Sequence, residues 1–243
     1  SKLIIVSLAE KVCGYNHESE KNMDFDFLSK TVLFKGCTDE EIKHMLICLK
    51  NKIKKFDKDE YIYNVGEIVT DACLILSGSV QIENVDVVGN KSILGVVRQG
   101  DIFAESYACI PNQPILVDVK TCEATEILFI NVPALFVESN SCGHGAKLIQ
   151  NLLRVSSRKN INLSMRIFHS ASKTIRGRLI SYFSEQVSVQ GTNNIKIPLD
   201  RQQLADYLGV ERTALSKELG KMRDDGLLTF HKNEFHVVTG EGK

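Results

Sequence analysis

Several features are scarce or missing in this chain of 243 residues. No uncharged apolar run approaches the roughly 20 residues that a membrane-spanning helix needs, so a membrane partner is not expected. Glycine (16) and proline (4) are too few for a collagen-like chain. Neither sign of charge dominates: 30 Lys and Arg face 30 Asp and Glu, and with 43% apolar residues this excludes disorder. The seven cysteines are odd in number and include no CxxC pair, which fits reduced thiols in a cytoplasm better than a disulfide framework. The opening stretch, SKLIIVSLAEKVCG, has an acid inside a short apolar run and makes a poor signal peptide. The six histidines (His17, His44, His144, His169, His231 and His236) leave residues 56–130 without any. That argues against the His–carboxylate metal centre of a cupin enzyme. No nucleophile elbow, P-loop or dinucleotide fingerprint occurs, so no enzyme is expected.

At roughly 150 residues per domain, the length fits one large domain or two modest ones. The neutral total hides an asymmetry. Residues 1–145 hold 14 Lys and Arg against 21 Asp and Glu, a net of −7, whereas residues 146–243 hold 16 against 9, a net of +7. An acidic front and a basic back suggest that the back half meets a polyanion.

Residues 1–22 match no motif, and Met23 is a candidate start. From Asp24 to Leu49 the pattern is helical, with Thr38-Asp39-Glu40-Glu41 as a capped start. From Lys55 to Phe136 short β-rich runs follow one another (YIYNV, CLILSGSVQI, SILGVV, ILVDV, EILFINV), punctuated by Gly66, Gly78, Gly89 and Gly100. Even spacing of this kind predicts an antiparallel sandwich or barrel, with a hairpin tip at Gly89-Asn90. A short helix over NVPALFVESN then leads through Ser141–Gly145 into a long one. In the long helix Leu148, Leu152, Val155 and Asn162 fall near an a/d spacing, and Ile149, Leu153, Leu163 and Ile167 widen the stripe. A symmetric partner helix is the simplest cover for it, and packing back on its own chain is the alternative. The expected dimer contacts are Leu148, Leu152, Val155 and Leu163. Residues 171–186 form another amphipathic helix, and Ile195–Ile197 a strand.

Residues 200–223 read DRQQLADYLGVERTALSKELGKMR. Asp200 and Gln203 make a capping-box pattern. Leu204, Ala205 and Leu208 supply an inner face, Gly209 a turn, and Val210, Ala214, Leu215, Leu219 and Met222 a second inner face. This is a helix-turn-helix signature, whose second helix enters a DNA major groove. Its other face carries Arg212, Thr213, Ser216, Lys217 and Lys221. Arg212 and Thr213 stand where base edges are met, and Lys221 and Arg223 where phosphates are. Arg201 and Gln202, at the start of the first helix, complete the candidate DNA contacts. Leu227–Phe230 and Glu234–Val238 then form a hairpin around His231–Asn233, placed as a wing.

With Gly66-Glu67, Leu76–Val80, Gly100–Glu105 and Lys120–Ile127, this arrangement resembles the CRP/FNR family of bacterial transcription regulators over about Phe34 to Val238. The resemblance implies an α+β chain with four parts. These are an extension (1–22), a jelly-roll-like cyclic-nucleotide-binding-like sensor domain (23–140), a dimerisation helix (141–170) and a winged helix-turn-helix domain (171–243). It implies a cytoplasmic homodimer on palindromic double-stranded promoter DNA, with RNA polymerase as a further partner, and a small effector in the roll that alters DNA-binding geometry. Candidate pocket residues are Phe103, Glu105, Ser106, Gln113 and Ile115, with Leu152 and Val155 from the long helix.

The departures from the family pattern matter. Where cyclic-AMP-binding members carry Gly-Glu, this chain has Ala104-Glu105, and Gln113-Pro114 stands in place of their Arg-Ser. Without that Arg a buried phosphate lacks its bidentate partner, so weak or absent cyclic nucleotide binding is expected. Arg212-Thr213-Ala214 replaces the cyclic-AMP regulator's Arg-Glu-Thr, which predicts a different operator. Cys13, Cys37 and Cys48 are too scattered for the family's iron–sulfur cluster. Cys73, Cys109 and Cys122 read as small apolar fillers, although a redox or haem role stays open. Cys142 and His144 read as a loop rather than a metal pair, and no metal or bound cofactor is expected. A cyclic-nucleotide-responsive regulator, or a ligand-binding module without DNA binding, stays as an alternative.

Overall fold

The computed structural model describes residues 23–49, 51–85, 88–89, 91–138 and 145–238. The extension with Cys13, the tip residue Asn90 and the Cys142–His144 loop lie outside the described residues. The chain divides into two compact units, Ser1–Ser157 and Arg158–Lys243, and the boundary falls inside one helix.

The N-terminal unit opens with α1 (Phe25–Lys30) and α2 (Asp39–Cys48), where the pattern predicts one helical run. The run breaks at Thr31, which turns extended while its hydroxyl donates to Leu28 O at 2.7 Å. Gly36 then takes a φ of +78°, and the turn buries Leu33 and Phe34. Thr38 caps α2 as expected: Thr38 Oγ1 accepts from Glu41 N, and Glu41 Oε2 accepts from Thr38 N.

Eight strands follow: β1 (Lys52–Phe56), β2 (Tyr61–Tyr63), β3 (Asp71–Ser77), β4 (Ser79–Val85), β5 (Lys91–Arg98), β6 (Ile102–Phe103), β7 (Asp118–Thr121) and β8 (Thr125–Asn131). They form two antiparallel sheets, ordered β1-β8-β3-β6 and β2-β7-β4-β5. The sequence pattern does not reveal β1, because its three lysines in KIKKF mask the strand until β8 pairs with it. Ala72–Ile75 of β3 and Ile127–Ile130 of β8 are buried residue after residue, the mark of central strands covered on both faces. Helices α3 (Glu105–Ala108) and α4 (Val132–Glu138) add Ala108, Val132 and Leu135 to the same core. Gly78, between β3 and β4, has a φ of +82°, and a Cβ there would sit 2.5 Å from Thr125 Oγ1 and 2.6 Å from Ala124 O.

The long helix α5 (Gly145–Ser170) corrects one expectation. Leu148 and Leu152, expected on a dimer seam, are 0% and 4% exposed because they complete the core of their own N-terminal unit, and Val155 packs against it. Two polar contacts fasten the same turns. Lys147 Nζ lies 2.7 Å from Glu41 Oε1, and the buried Asn151 donates from Nδ2 to Leu33 O (2.8 Å) and Lys35 O (2.9 Å). Leu163, by contrast, is 61% exposed, as are Leu153, Ile161, Ile167 and Phe168 to similar degrees.

The C-terminal unit comprises α6 (Ile175–Gln190), β9 (Asn194–Lys196), α7 (Arg201–Leu208), α8 (Arg212–Asp224), β10 (Leu228–His231) and β11 (Glu234–Val237). Helix α6 starts at the cap Thr174, whose Oγ1 accepts from Gly177 N at 3.0 Å, and runs past the expected end to the left-handed Gly191. The expected wing hairpin is β10–β11, and β9 joins it as a third strand in the order β10-β11-β9. Leu179, Tyr182 and Phe183 of α6 pack with Leu204, Leu208, Leu215, Leu219 and Phe235 in one core. Among the described residues, no helix is long and apolar enough to cross a membrane.

Candidate nucleic-acid interface

Local chemistry sets the two helices. Asp200 caps α7: its Oδ1 accepts from Gln203 N at 2.8 Å, and Gln203 Oε1 accepts from Asp200 N at 2.9 Å. Gly209 ends α7 with a φ of +64°, a left-handed conformation that glycine adopts without a Cβ penalty. Leu204, Ala205 and Leu208 on α7, and Leu215, Leu219 and Met222 on α8, are all buried, as the spacing predicts. Their burial turns Arg212, Thr213, Ser216, Lys217 and Lys221 outward, and all five are exposed.

Three arginines that the sequence pattern does not single out hold this geometry. Arg178 donates from Nη1 to Leu208 O (2.8 Å) and Gly209 O (3.1 Å), and from Nε to Ser172 O (2.8 Å), so it ties α6 to the turn. Arg166 donates to Asp206 O (2.9 Å) and Tyr207 O (3.1 Å), at the C-terminal end of α7. Arg176 meets Glu218 Oε1 at 2.6 Å and Asp225 Oδ2 at 2.7 Å. Glu218 stands where many such motifs carry an apolar residue, and Arg176 is the partner that makes a carboxylate fit there. No local signal could have found these pairs, because the partners are 40 and 41 residues apart for Arg166 and 42 for Arg176–Glu218.

Four expected DNA contacts are engaged within the protein. The guanidinium of Arg201 lies over the rings of Phe230 (4.9 Å) and Phe235 (5.0 Å), and burial lowers its pKa. It fastens α7 to the wing. Gln202 is exposed but donates from Nε2 to Asp206 Oδ1 at 2.8 Å. Ser216 donates its hydroxyl to Arg212 O at 2.9 Å. Glu211 caps α8 and accepts from Thr213 N and Ala214 N, each at 2.9 Å. Hydrogen bonds from the Thr213 hydroxyl and these two amides hold its carboxyl below the ordinary glutamate range.

His169, the penultimate residue of α5, is fully buried in this unit. Its Nδ1 lies 3.1 Å from Tyr207 Oη, and its Nε2 lies 3.3 Å from Glu185 Oε2 without hydrogen-bond alignment. Burial lowers its pKa, and the Glu185 carboxylate opposes that shift.

In the roll, Phe103, Ile115 and Leu152 are members of the apolar core. Ala104 keeps a left-handed backbone (φ +62°) without being glycine, a strain of about 1 kcal/mol. The buried Glu105 accepts at Oε1 from Ser106 Oγ at 3.3 Å, and Gln113 is half-buried and donates to Pro114 O at 3.3 Å. A cavity of about 510 Å³ does open in this unit, but elsewhere. Its lining includes Lys52, Thr70, Asp71, Asn131 and Ala134. Burial pushes the thiols of Cys37, Cys73 and Cys109 up, away from the reactive thiolate. Cys73, in the core and 3.5 Å from Tyr63 Oη, is a filler as expected.

Comparison with known proteins agrees with both units. The profile of the cyclic nucleotide-binding domain matches residues 53–136, and that of the Crp-like helix-turn-helix domain matches residues 177–239. The anaerobic regulatory protein of Bacillus subtilis is 22% identical over 213 residues, covering 86% of this chain and 88% of that one. CprK, solved in complex with OCPA, superposes with a TM-score of 0.57 at 15% identity, covering 83% of this chain and 92% of that one. The c-di-GMP-responsive global regulator CLP of Xanthomonas campestris gives 0.52 at 16%, covering 83% and 100%. At these identities the two structures speak for the fold alone.

Proposed function

The chain belongs to the CRP/FNR family of transcription regulators, and on that premise we propose that it works as a cytoplasmic homodimer on a two-fold-related promoter site. The observation that carries the DNA-reading part is the second helix of the helix-turn-helix. It buries Leu215, Leu219 and Met222 and turns Arg212, Lys217 and Lys221 to solvent. The exposed Arg212 would donate in bidentate fashion to guanine O6 and N7, and the exposed Lys221 would meet a phosphate. The exposed Leu153, Ile161, Leu163, Ile167 and Phe168 of α5 supply apolar surface for a partner copy, in place of Leu148 and Leu152. A dimer would set two recognition helices about 34 Å apart, one turn of DNA.

The chain acts as a regulator and not as an enzyme, and RNA polymerase is its further partner on the promoter. A small effector in the N-terminal unit shifts the population of DNA-competent dimers. That effector is not cyclic AMP, since Gln113 stands where the family's phosphate-gripping Arg would be. Selection of binding sites from random duplex DNA, with light scattering on the free protein, tests this reading. A palindromic site bound by a dimer supports it, and a monomer that selects no sequence overturns it. Calorimetry that finds micromolar cyclic AMP affinity would overturn the effector statement alone.

A further inference from the structure

A hydroxyl has one proton to donate, and in Thr213 that proton is committed. Glu211, two residues ahead at the cap of α8, gathers three donors on one exposed carboxylate. Its Oε1 accepts from Thr213 N at 2.9 Å, and its Oε2 accepts from Ala214 N at 2.9 Å and from the Thr213 hydroxyl. The same three bonds keep the group ionised. An ionised carboxylate only accepts, so the direction of the Thr213–Glu211 bond is not open to reversal. What remains on the outward side of Thr213 is an oxygen lone pair and a methyl group.

That has a consequence for base reading. In the major groove guanine presents two acceptors, N7 and O6, whereas adenine and cytosine present amino donors and thymine a methyl group. An acceptor-only threonine meets guanine with like against like. It accepts from adenine N6 or cytosine N4, or packs on the thymine methyl. We propose that Glu211 is a specificity-determining residue of the DNA interface. It acts through Thr213, making it an acceptor and methyl reader that rejects guanine at the base it faces. The inference rests on the proposed placement of α8 in the major groove.

The test is selection of binding sites from random duplex DNA by the full-length wild type and by Glu211→Ser and Glu211→Gln. Serine still caps the helix, so α8 persists, and circular dichroism verifies it. Neither variant holds the hydroxyl proton as the carboxylate does: serine is too short to reach it, and the glutamine amide can donate to Thr213 Oγ1 instead. We expect the wild type to exclude guanine at one position of each half-site. Both variants should raise guanine there about tenfold relative to the other bases and leave the remaining positions unchanged. Adding Thr213→Val to Glu211→Ser, which removes the released donor, should restore the exclusion. Unchanged preference at every position in both variants, with specific binding intact, overturns the lock alone. A wild type that selects no site overturns the DNA-binding placement, and the lock falls with it. A purely capping Glu211 would alter affinity for all sequences alike, and that result also refutes the proposal.

Discussion

In the N-terminal unit most of the residues that hold elements together are apolar: Phe34, Ile42, Met45, Leu74, Ile75, Leu128 and Leu148 are all fully buried in one core. The C-terminal unit has a smaller apolar core, and cations tie its helices together from outside. Arg166 and Arg178 bond main-chain carbonyls at the end of α7, Arg176 bonds Glu218 and Asp225, and Arg201 stacks on two wing phenylalanines. Apolar burial is non-directional and tolerates adjustment. Hydrogen bonds from a planar guanidinium fix angles as well as distances. A unit that must hold one helix at a set angle to a groove uses the second kind. The contrast also qualifies the charge asymmetry. The C-terminal half carries a net +7, but four of its arginines are engaged within the unit, so the exposed basic face is smaller than the count implies.

The sharpest way to separate the two units is Gly78→Ala. The new Cβ would meet Thr125 Oγ1 and Ala124 O at a positive φ, and the N-terminal unit should lose about 2–4 kcal/mol. A two-step thermal or urea unfolding profile, in which only the N-terminal step moves, is the expected result. Next in size, Arg212→Ala should cost about 1–3 kcal/mol of specific DNA binding and relax discrimination at one base pair. Titration on cognate and random duplexes checks it, and equal loss on both would remove Arg212 from base reading. Arg178→Ala should destabilise the C-terminal unit by about 2 kcal/mol, leaving the carbonyls of Ser172, Leu208 and Gly209 without their donor. The same unfolding profile should show the N-terminal step unmoved.

The smallest expected effect is a pH dependence confined to the C-terminal unit. His169 has a lowered pKa when folded, so below the ordinary value of 6.5 the unfolded chain binds more protons than the folded one. Stability should therefore be full above that value and fall as pH drops through the window beneath it. His169→Gln should flatten the slope there. A C-terminal transition with the same slope in both proteins would rule out His169 as its source.

The helix-turn-helix was legible in the sequence because its signals are local. The Asp200–Gln203 box, Gly209 and the apolar spacing of α7 and α8 each act within a few residues. The turn inside Asp24–Leu49 was not, since Thr31 and Gly36 interrupt a pattern that still looks helical. Strand β1 was hidden by its lysines. Arg201 could be recognised as basic but not as stacked, because Phe230 and Phe235 come to it only through the wing.

By itself the sequence determined the order of most elements, the caps and turns of the helix-turn-helix, and which side of each of its two helices goes inward. These follow from φ preferences, single hydrogen bonds and periodicity, all short-range along the chain. Only the tertiary structure decided what covers each apolar stripe and where each arginine ends. Periodicity measures how much surface a helix must hide, not which neighbour hides it. Leu148 and Leu152 therefore went to their own core while Leu163 stayed exposed, and Arg176 found a carboxylate 42 residues away.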